Sequence, residues 1–123
     1  MTTRYLLLIA LLSGANTALA ADKTGNYAIW GKGGKSCYSY NKSRETAEDQ
    51  AYKDYIMGYI TAYNLFTDKT YSITAGMNMH EILGWFDDYC GDKPIHGFEQ
   101  ALTGFIAAHH KTRYIRPPGS RLR

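Results

Sequence analysis

Two cysteines, Cys37 and Cys90, constrain the fold of this chain more than any other feature of its sequence. In a small exported protein a single pair of cysteines is expected to form one structural disulfide. Such a bridge would close a long loop and stabilise the fold by about 4 kcal/mol through the entropy of the unfolded chain. The pair has neither CxxC nor metal-ligand spacing, so it indicates no redox site and no cysteine-bound metal.

Residues 1–20 predict export, because they have the three parts of a signal peptide. Arg4 supplies the positive charge, residues 6–12 form the apolar core, and residues 18–20 (ALA) form the cleavage site. Cleavage after Ala20 would leave 103 of the 123 residues, enough for one small domain. We therefore expect a protein of the bacterial periplasm, and no later segment predicts a transmembrane helix.

Hydrophobic periodicity predicts two helices in the middle of the chain. The first covers residues 46–64, with Thr46 or Ser43 as its N-cap. The second begins at Asn78, which has Glu81 three residues later as a capping-box partner. Apolar residues recur at three- and four-residue steps in both, so one face of each helix is expected to be buried.

A third helix is predicted to follow Pro94 and to run to about residue 110. The predicted fold class is therefore all-α: one small three- to four-helix domain at residues 21–110, with a single disulfide. An extended N-terminal segment at residues 26–30 precedes the helices, and a flexible C-terminal tail follows at residues 111–123. The second and third helices are expected to bury Ile82, Phe86, Tyr89, Ile95, Phe98, Ala101, Leu102, Phe105 and Ile106.

Four glycines fall within the predicted helices, where glycine costs about 1 kcal/mol relative to alanine. They are Gly58, Gly84, Gly97 and Gly104. We interpret them as points where two helix backbones pack closely.

Tyrosine is the unusual residue of this chain, with 11 in all. Tyr52, Tyr55, Tyr59 and Tyr63 form one helical stripe. A tyrosine can bury its ring and keep its hydroxyl in water, so this stripe is typical of a core edge and of a protein interface. Both interpretations stay open, and the four tyrosines are the candidate contact residues for a partner protein.

The sequence GKGGKSC at residues 31–37 resembles the end of a phosphate-binding loop. The leading glycine of a Walker A motif is replaced by Ile29, and Tyr38 stands where a hydrolase nucleophile elbow needs its last glycine. We interpret the loop as a hinge that lets Cys37 reach Cys90, with Lys32 and Lys35 as solvated charges and Ser36 as a mere neighbour of the bridge.

No pattern of catalytic residues is found in the sequence. The four histidines are interpreted as exposed residues near helix ends, and Asp87 and Asp88 as a solvated face, since neighbours on a helix diverge. We expect no enzymatic activity, no cofactor and no bound metal. The histidines are His80, His96, His109 and His110.

Charge is divided between an acidic body and a basic tail. Residues 22–110 carry 8 basic and 11 acidic side chains, whereas residues 111–123 carry 5 basic and none acidic. The tail could touch an acidic partner or anionic lipid head groups, or could simply be a solubilising terminus. A nucleic-acid partner is not expected.

Four short motifs carry a resemblance to a known group of proteins. They are SC at residues 36–37, GYITAYN at 58–64, WFDDYC at 85–90 and FEQAL at 98–102. In this order they resemble the small periplasmic proteins grouped around the Rap1a/Tai type VI immunity proteins, and more distantly the HdeA-type acid-stress chaperones. The resemblance covers about residues 36–106 and implies a disulfide-linked helical fold that works by binding proteins.

Two functions follow as expectations from this resemblance. The first is an immunity protein or inhibitor that occupies the active-site cleft of a secreted peptidoglycan-degrading toxin. The alternative is an acid-activated holdase, in which carboxylates such as Glu45, Glu48, Asp49 and Asp54 lose their charge in acid and a homodimer opens to unfolded clients. An envelope structural factor without a discrete ligand is the third possibility.

Overall fold

The computed structural model describes residues 21–120, and their fold is a small all-α domain, as predicted. The α-helices are α1 (Cys37–Ser43), α2 (Asp49–Phe66), α3 (Met79–Asp92) and α4 (Phe98–His109). Short 3₁₀ turns lie at Gly31–Gly34 and His110–Thr112. Between residues 21 and 120 extended pairing is limited to two isolated bridges, Ser36 with Gly97 and Ser72 with Tyr114. The signal peptide predicted at residues 1–20 lies outside the described residues.

Helix α3 begins where its capping box was predicted. The backbone N–H of Glu81 donates to Oδ1 of Asn78 at 3.0 Å, and the Asn78 N–H donates to Oε2 of Glu81 at 2.8 Å. Both bonds satisfy N–H groups that the first helical turn leaves without a partner. Helix α2, by contrast, begins three residues later than predicted, because the Thr46 hydroxyl donates to the Ser43 carbonyl within the preceding turn.

Helix α1 was not predicted, since residues 37–40 were assigned no helix. Oγ of Ser36 accepts a hydrogen bond from the Ser39 N–H at 3.1 Å, which makes Ser36 the N-cap of α1. The interpretation of Ser36 as a mere neighbour of the bridge was therefore wrong. Helix α1 connects the glycine loop to α2 and packs against α3.

The predicted disulfide is confirmed and joins the start of α1 to the end of α3. The Cα atoms of Cys37 and Cys90 lie 4.8 Å apart. Two backbone hydrogen bonds reinforce the bridge: the Cys37 N–H donates to the His96 carbonyl at 2.8 Å, and the Phe98 N–H donates to the Lys35 carbonyl at 2.7 Å. The start of α1 and the residues before it are thus fixed to the start of α4.

This backbone pairing also explains why α4 begins at Phe98 and not directly after Pro94. The intervening residues form a turn in which the His96 N–H donates to the Lys93 carbonyl, and Gly97, which pairs with Ser36, becomes the N-cap of α4. Ile95 was expected in the core as part of a longer helix, but it is 92% exposed. The other core residues of α4 are buried or half-buried as predicted.

The core is dominated by aromatic rings from all four helices. Tyr40 of α1 stacks on Phe98 of α4 with ring centroids 5.0 Å apart, and Tyr52 of α2 meets Phe98 edge-on at 5.0 Å. Phe86 of α3 stacks on Phe105 of α4 at 5.3 Å. Such pairs each contribute about 0.5–1.5 kcal/mol beyond their buried area. The core therefore depends on contacts between residues far apart in sequence.

One of the four glycines is closely packed, against aromatic side chains of α3 and not against its backbone. A Cβ atom at Gly104 would lie 3.2 Å from Cε2 of Tyr89 and 3.4 Å from Cη2 of Trp85. At Gly58 and Gly84 a Cβ would meet no atom within 4 Å, and at Gly97 it would make only an ordinary contact at 3.7 Å. The close-packing interpretation was wrong for these three, because Gly58 and Gly84 face open space and Gly97 precedes its helix.

The C-terminal tail does not begin at residue 111 as predicted. The Tyr114 N–H donates to the Ser72 carbonyl at 2.9 Å, and Nε of Arg113 donates to the Thr70 hydroxyl at 2.9 Å. These bonds fix the chain up to Tyr114 against the loop between α2 and α3, beside the buried Ile73. No helix among the described residues has both the length and the apolar character needed to cross a bilayer.

Candidate functional site

The tyrosine stripe of α2 faces the core of the domain. Tyr52 is 2% exposed and belongs to the core, so its assignment as a contact residue was wrong. Tyr55 and Tyr59 are half-buried and pack against the core. The hydroxyl of Tyr63 lies 2.6 Å from Nδ1 of His110. The stripe therefore forms the inner side of α2 and its edge.

The opposite side of α2 is apolar and exposed; we call it the outer face of α2. It is uncharged because the chain carries no charged residue between Asp54 and Asp68. Leu65 is 73% exposed and Phe66 is 83% exposed. The sequence indicates this surface by its absence of charged residues, whereas apolar periodicity does not reveal it. The outer face of α2 consists of Met57, Gly58, Thr61, Ala62, Leu65 and Phe66, all exposed.

The N-terminal segment adds further exposed aromatic surface, and one hydrogen bond holds it to α4. The Tyr27 hydroxyl donates to the carboxylate of Glu99, a residue that is only 8% exposed. This hydrogen bond and partial burial raise the pKa of Tyr27 to about 12. Glu99 lies in the first turn of α4, where a negative charge interacts favourably with the helix dipole. Trp30 on the same segment is 81% exposed.

The glycine loop has the backbone conformation expected of a hinge at Gly31, where φ is +61°. At Gly33 the reason for glycine is space, since a Cβ would lie 2.7 Å from Cζ of Tyr55. Lys32 is not a solvated charge as predicted. Its Nζ lies 2.6 Å from Oε2 of Glu48 and 5.0 Å from the ring centroid of Tyr52. The loop is therefore packed onto the first turns of α2.

A groove open to solvent, with a volume of about 400 Å³, lies between the glycine loop, α1 and the start of α2. We call it the basic groove, because three lysines and one glutamate line it. Lys35 and Lys42 are exposed, and Nζ of Lys42 lies 5.4 Å from the ring centroid of Tyr38. The lining residues are Lys32, Lys35, Tyr38, Ser39, Lys42, Ser43, Thr46, Glu48 and Tyr52.

Arg44 connects three helices through ion pairs. Its Nη1 lies 2.8 Å from Oδ1 of Asp49 on α2, and its Nε lies 2.7 Å from Oδ1 of Asp87 on α3. The Tyr40 hydroxyl also donates to Asp87 at 2.8 Å. The prediction that Asp87 belongs to a solvated face was therefore wrong, because its carboxylate accepts hydrogen bonds from Tyr40 and Arg44.

This cluster shifts the pKa values of its members. The hydrogen bond to Asp87 raises the pKa of Arg44, and burial together with the bond to Asp87 raises the pKa of Tyr40. At Asp49 burial acts to raise the pKa, but hydrogen bonds from Lys53 and Arg44 outweigh it and hold the pKa below its ordinary value. Asp49 is thus a carboxylate whose charged form the fold stabilises.

Three of the four histidines are half-buried and hydrogen bonded, whereas all four were expected to be exposed. Nδ1–H of His109 donates to the Phe105 carbonyl at 2.7 Å, and Nδ1 of His96 lies 2.8 Å from the Tyr89 hydroxyl. Only His80 is exposed. Within residues 21–120 no group of three or more His, Cys, Asp or Glu side chains is placed to hold a metal ion.

Comparison with protein-family models, with curated proteins and with solved structures found no match. The resemblance to Rap1a/Tai and HdeA-type proteins therefore stays a prediction that rests on the four motifs quoted above.

Proposed function

We propose that the protein is a non-enzymatic periplasmic binding protein of the immunity or inhibitor type, and that it recognises a folded partner such as a secreted toxin. The observation that carries the proposal is the outer face of α2. Its occupant would be an uncharged, apolar patch on the partner, because the cores of protein interfaces are depleted of charged residues and enriched in aromatic and apolar ones. Phe66 and Leu65 would be the anchor residues.

The polar groups of this face are already hydrogen bonded, which lowers the cost of covering it. The Thr61 hydroxyl donates to the Met57 carbonyl at 2.8 Å, so burying it against a partner leaves no donor unpaired. Gly58 and Ala62 project little side chain, which allows a partner backbone to come close. The face is thus apolar, shallow and free of desolvation penalties from charges.

Rigidity of the scaffold also supports the proposal. The disulfide, the two backbone hydrogen bonds beside it and the Arg44 ion pairs connect α1 to the other three helices. A surface on a fixed helix loses little conformational entropy on binding, so more of the contact energy appears as affinity. This property suits a stoichiometric inhibitor.

The test is a crosslinked pull-down from the periplasmic and secreted fractions, followed by affinity measurement with the purified partner. Phe66→Asp is the test variant and Ile95→Asp is the matched control, since both residues are highly exposed but Ile95 lies in the α3–α4 loop. We expect one specific partner whose affinity falls at least about a hundredfold in Phe66→Asp and stays unchanged in Ile95→Asp. Absence of any specific partner, or equal loss in the two variants, would refute the proposal.

The second candidate function is an acid-activated holdase, and the ion pairs of Glu48 and Asp49 favour it specifically. Asp49 and Glu48 have pKa values held low, the latter by its hydrogen bond to Lys32. Carboxylates of this kind stabilise the fold above their unfolded pKa, and the contribution is lost as the pH falls through the folded pKa. Strong acid would therefore release α2 from the glycine loop and from Arg44.

Client aggregation at about pH 2–3, where carboxylates are mostly protonated, tests this second candidate. A holdase would suppress light scattering by an unfolding client at that pH and leave it unchanged at neutral pH. If the protein keeps its near-ultraviolet circular dichroism in acid and scattering is unaffected, the holdase function is excluded.

A further inference from the structure

We propose that the basic groove binds carboxylates of an acidic segment of the partner protein. This inference rests on the proposed function, and it adds the chemistry of a second contact site. The groove contains two lysines, Lys35 and Lys42, that form no ion pair with any residue between positions 21 and 120. Nζ of Lys42 lies 5.4 Å from the ring centroid of Tyr38, a residue that is 58% exposed, and Lys35 lines the same groove. Two exposed ammonium groups in one groove match an extended segment with two acidic side chains.

The third lysine of the groove is held in place by the fold. The Lys32 ammonium group contacts the Glu48 carboxylate and the Tyr52 ring. Its hydrogen bond to Glu48 raises the pKa of the ammonium group. Glu48 therefore neutralises one lysine and leaves the other two uncompensated. The groove carries a net positive charge on a body whose residues 22–110 are acidic overall.

This local charge favours a small acidic segment over a broad anionic surface. A membrane or a nucleic acid would meet the acidic body around the groove as well as the lysines, and the two effects would oppose each other. A few carboxylates that enter the groove meet its lysines, and the one glutamate there is already paired with Lys32. The net negative charge of the body therefore repels a large anionic surface more than a small anion that fits inside the groove.

The donors in the groove suit an anion that is held by charge and not by a network of fixed hydrogen bonds. The Ser43 hydroxyl donates to the Tyr40 carbonyl at 2.7 Å, and the Thr46 hydroxyl donates to the Ser43 carbonyl at 2.9 Å. Their protons are thus occupied within the protein, and no arginine, whose planar fork would hold an anion through two parallel hydrogen bonds, lines the groove. The remaining side-chain donors are the lysine ammonium groups, which pair with carboxylates as point charges, and the hydroxyls of Tyr38, Ser39 and Tyr52. Binding should therefore be weak and strongly dependent on salt.

The test uses a fluorescein-labelled oligoglutamate peptide and fluorescence anisotropy at low ionic strength. Lys35→Glu/Lys42→Glu is the test variant. Lys23→Glu/Lys111→Glu is the control, with the same change in net charge at two other exposed lysines, one of them in the basic tail. Thermal unfolding of both variants checks that the fold is intact. Inorganic phosphate and phosphatidylglycerol vesicles serve as the alternative anions.

We expect the groove variant to weaken peptide binding about tenfold or more and the control variant to change it less than about twofold. Equal loss in the two variants would show a general charge effect and overturn the proposal. Groove-dependent binding of phosphate or of vesicles in place of the peptide would overturn it as well. The proposed function is tested separately, by the pull-down. If a specific partner binds the groove variant as tightly as the wild type, only the proposal for the groove is refuted. If no specific partner is found, the proposed function itself is refuted.

Discussion

Alanine substitutions at Gly58 and at Gly104 should change the stability of the domain in opposite directions. Both glycines lie inside α-helices, Gly58 in α2 and Gly104 in α4. Each substitution gains the same helix propensity, up to about 1 kcal/mol, because alanine loses less backbone entropy on folding. The difference between them comes only from what the new methyl group meets.

The geometry gives the expected magnitudes. The Cβ at position 58 meets nothing within 4 Å, so Gly58→Ala should increase the free energy of unfolding by about 0.5–1 kcal/mol. The Cβ at position 104 would press on Tyr89 at 3.2 Å. That ring is stacked on Trp85 at 5.2 Å and its hydroxyl bonds to His96, so it has little freedom to move. Overpacking of this kind costs about 1–3 kcal/mol and exceeds the gain in propensity.

Urea denaturation and thermal unfolding of the oxidised protein provide the measurement. For a domain of this size 1 kcal/mol corresponds to about 4–8 °C in melting temperature, so the two variants should differ by about 10 °C. Gly84→Ala is an additional control, since its Cβ also meets nothing within 4 Å and should stabilise like Gly58→Ala. If Gly104→Ala stabilises the domain as much as Gly58→Ala, the reasoning from close contact is wrong.

Three further predictions concern the bridge, the glycine loop and the ion pairs. Replacing Cys37 and Cys90 by serine should lower the free energy of unfolding by about 4 kcal/mol, since the bridge spans a sequence separation of 53; a loss under about 1 kcal/mol in urea denaturation would contradict this. Gly33→Ala should destabilise the domain by about 1–3 kcal/mol because the methyl group overlaps the Tyr55 ring, and thermal unfolding would show no shift if that ring moves freely. Arg44→Ala should lower stability at neutral pH and make its decline between about pH 4 and pH 2 shallower, because Asp49 keeps Lys53 but loses one of the two partners that lower its pKa; an unchanged slope across that range would argue against the ion pair.

The parts of the fold that could be predicted are those with a local cause. Asn78 and Glu81 are three residues apart and satisfy each other's backbone, so the start of α3 follows from a short stretch of sequence. The disulfide follows from composition together with the predicted export, because the chain has two cysteines. In both cases the relevant interaction can be identified without knowledge of the rest of the chain.

The parts that were missed depend on contacts between distant segments. Helix α1 is short, and its place is fixed by the bridge and by stacking of Tyr40 on Phe98. Ile95 fits the apolar period of α4, but the backbone pairing of Phe98 with Lys35 makes the helix begin after it. The glycines differ only in what lies opposite each of them, which periodicity cannot reveal. The basic groove could not be predicted for the same reason, because it joins residues from three separate elements.

The short length of α1 has a consequence for the order in which the chain folds. An isolated helix shorter than about 12–15 residues is marginal in water, and α1 has 7. The residues that hold it, Cys90 and Phe98, are synthesised more than 50 positions after Cys37. A ribosome delivers the N-terminal part first, so the segment at Cys37–Ser43 emerges early and stays unstructured until α3 and α4 exist. During that interval Cys37 is a free thiol, and the earliest part of the domain to be made is among the last to fold.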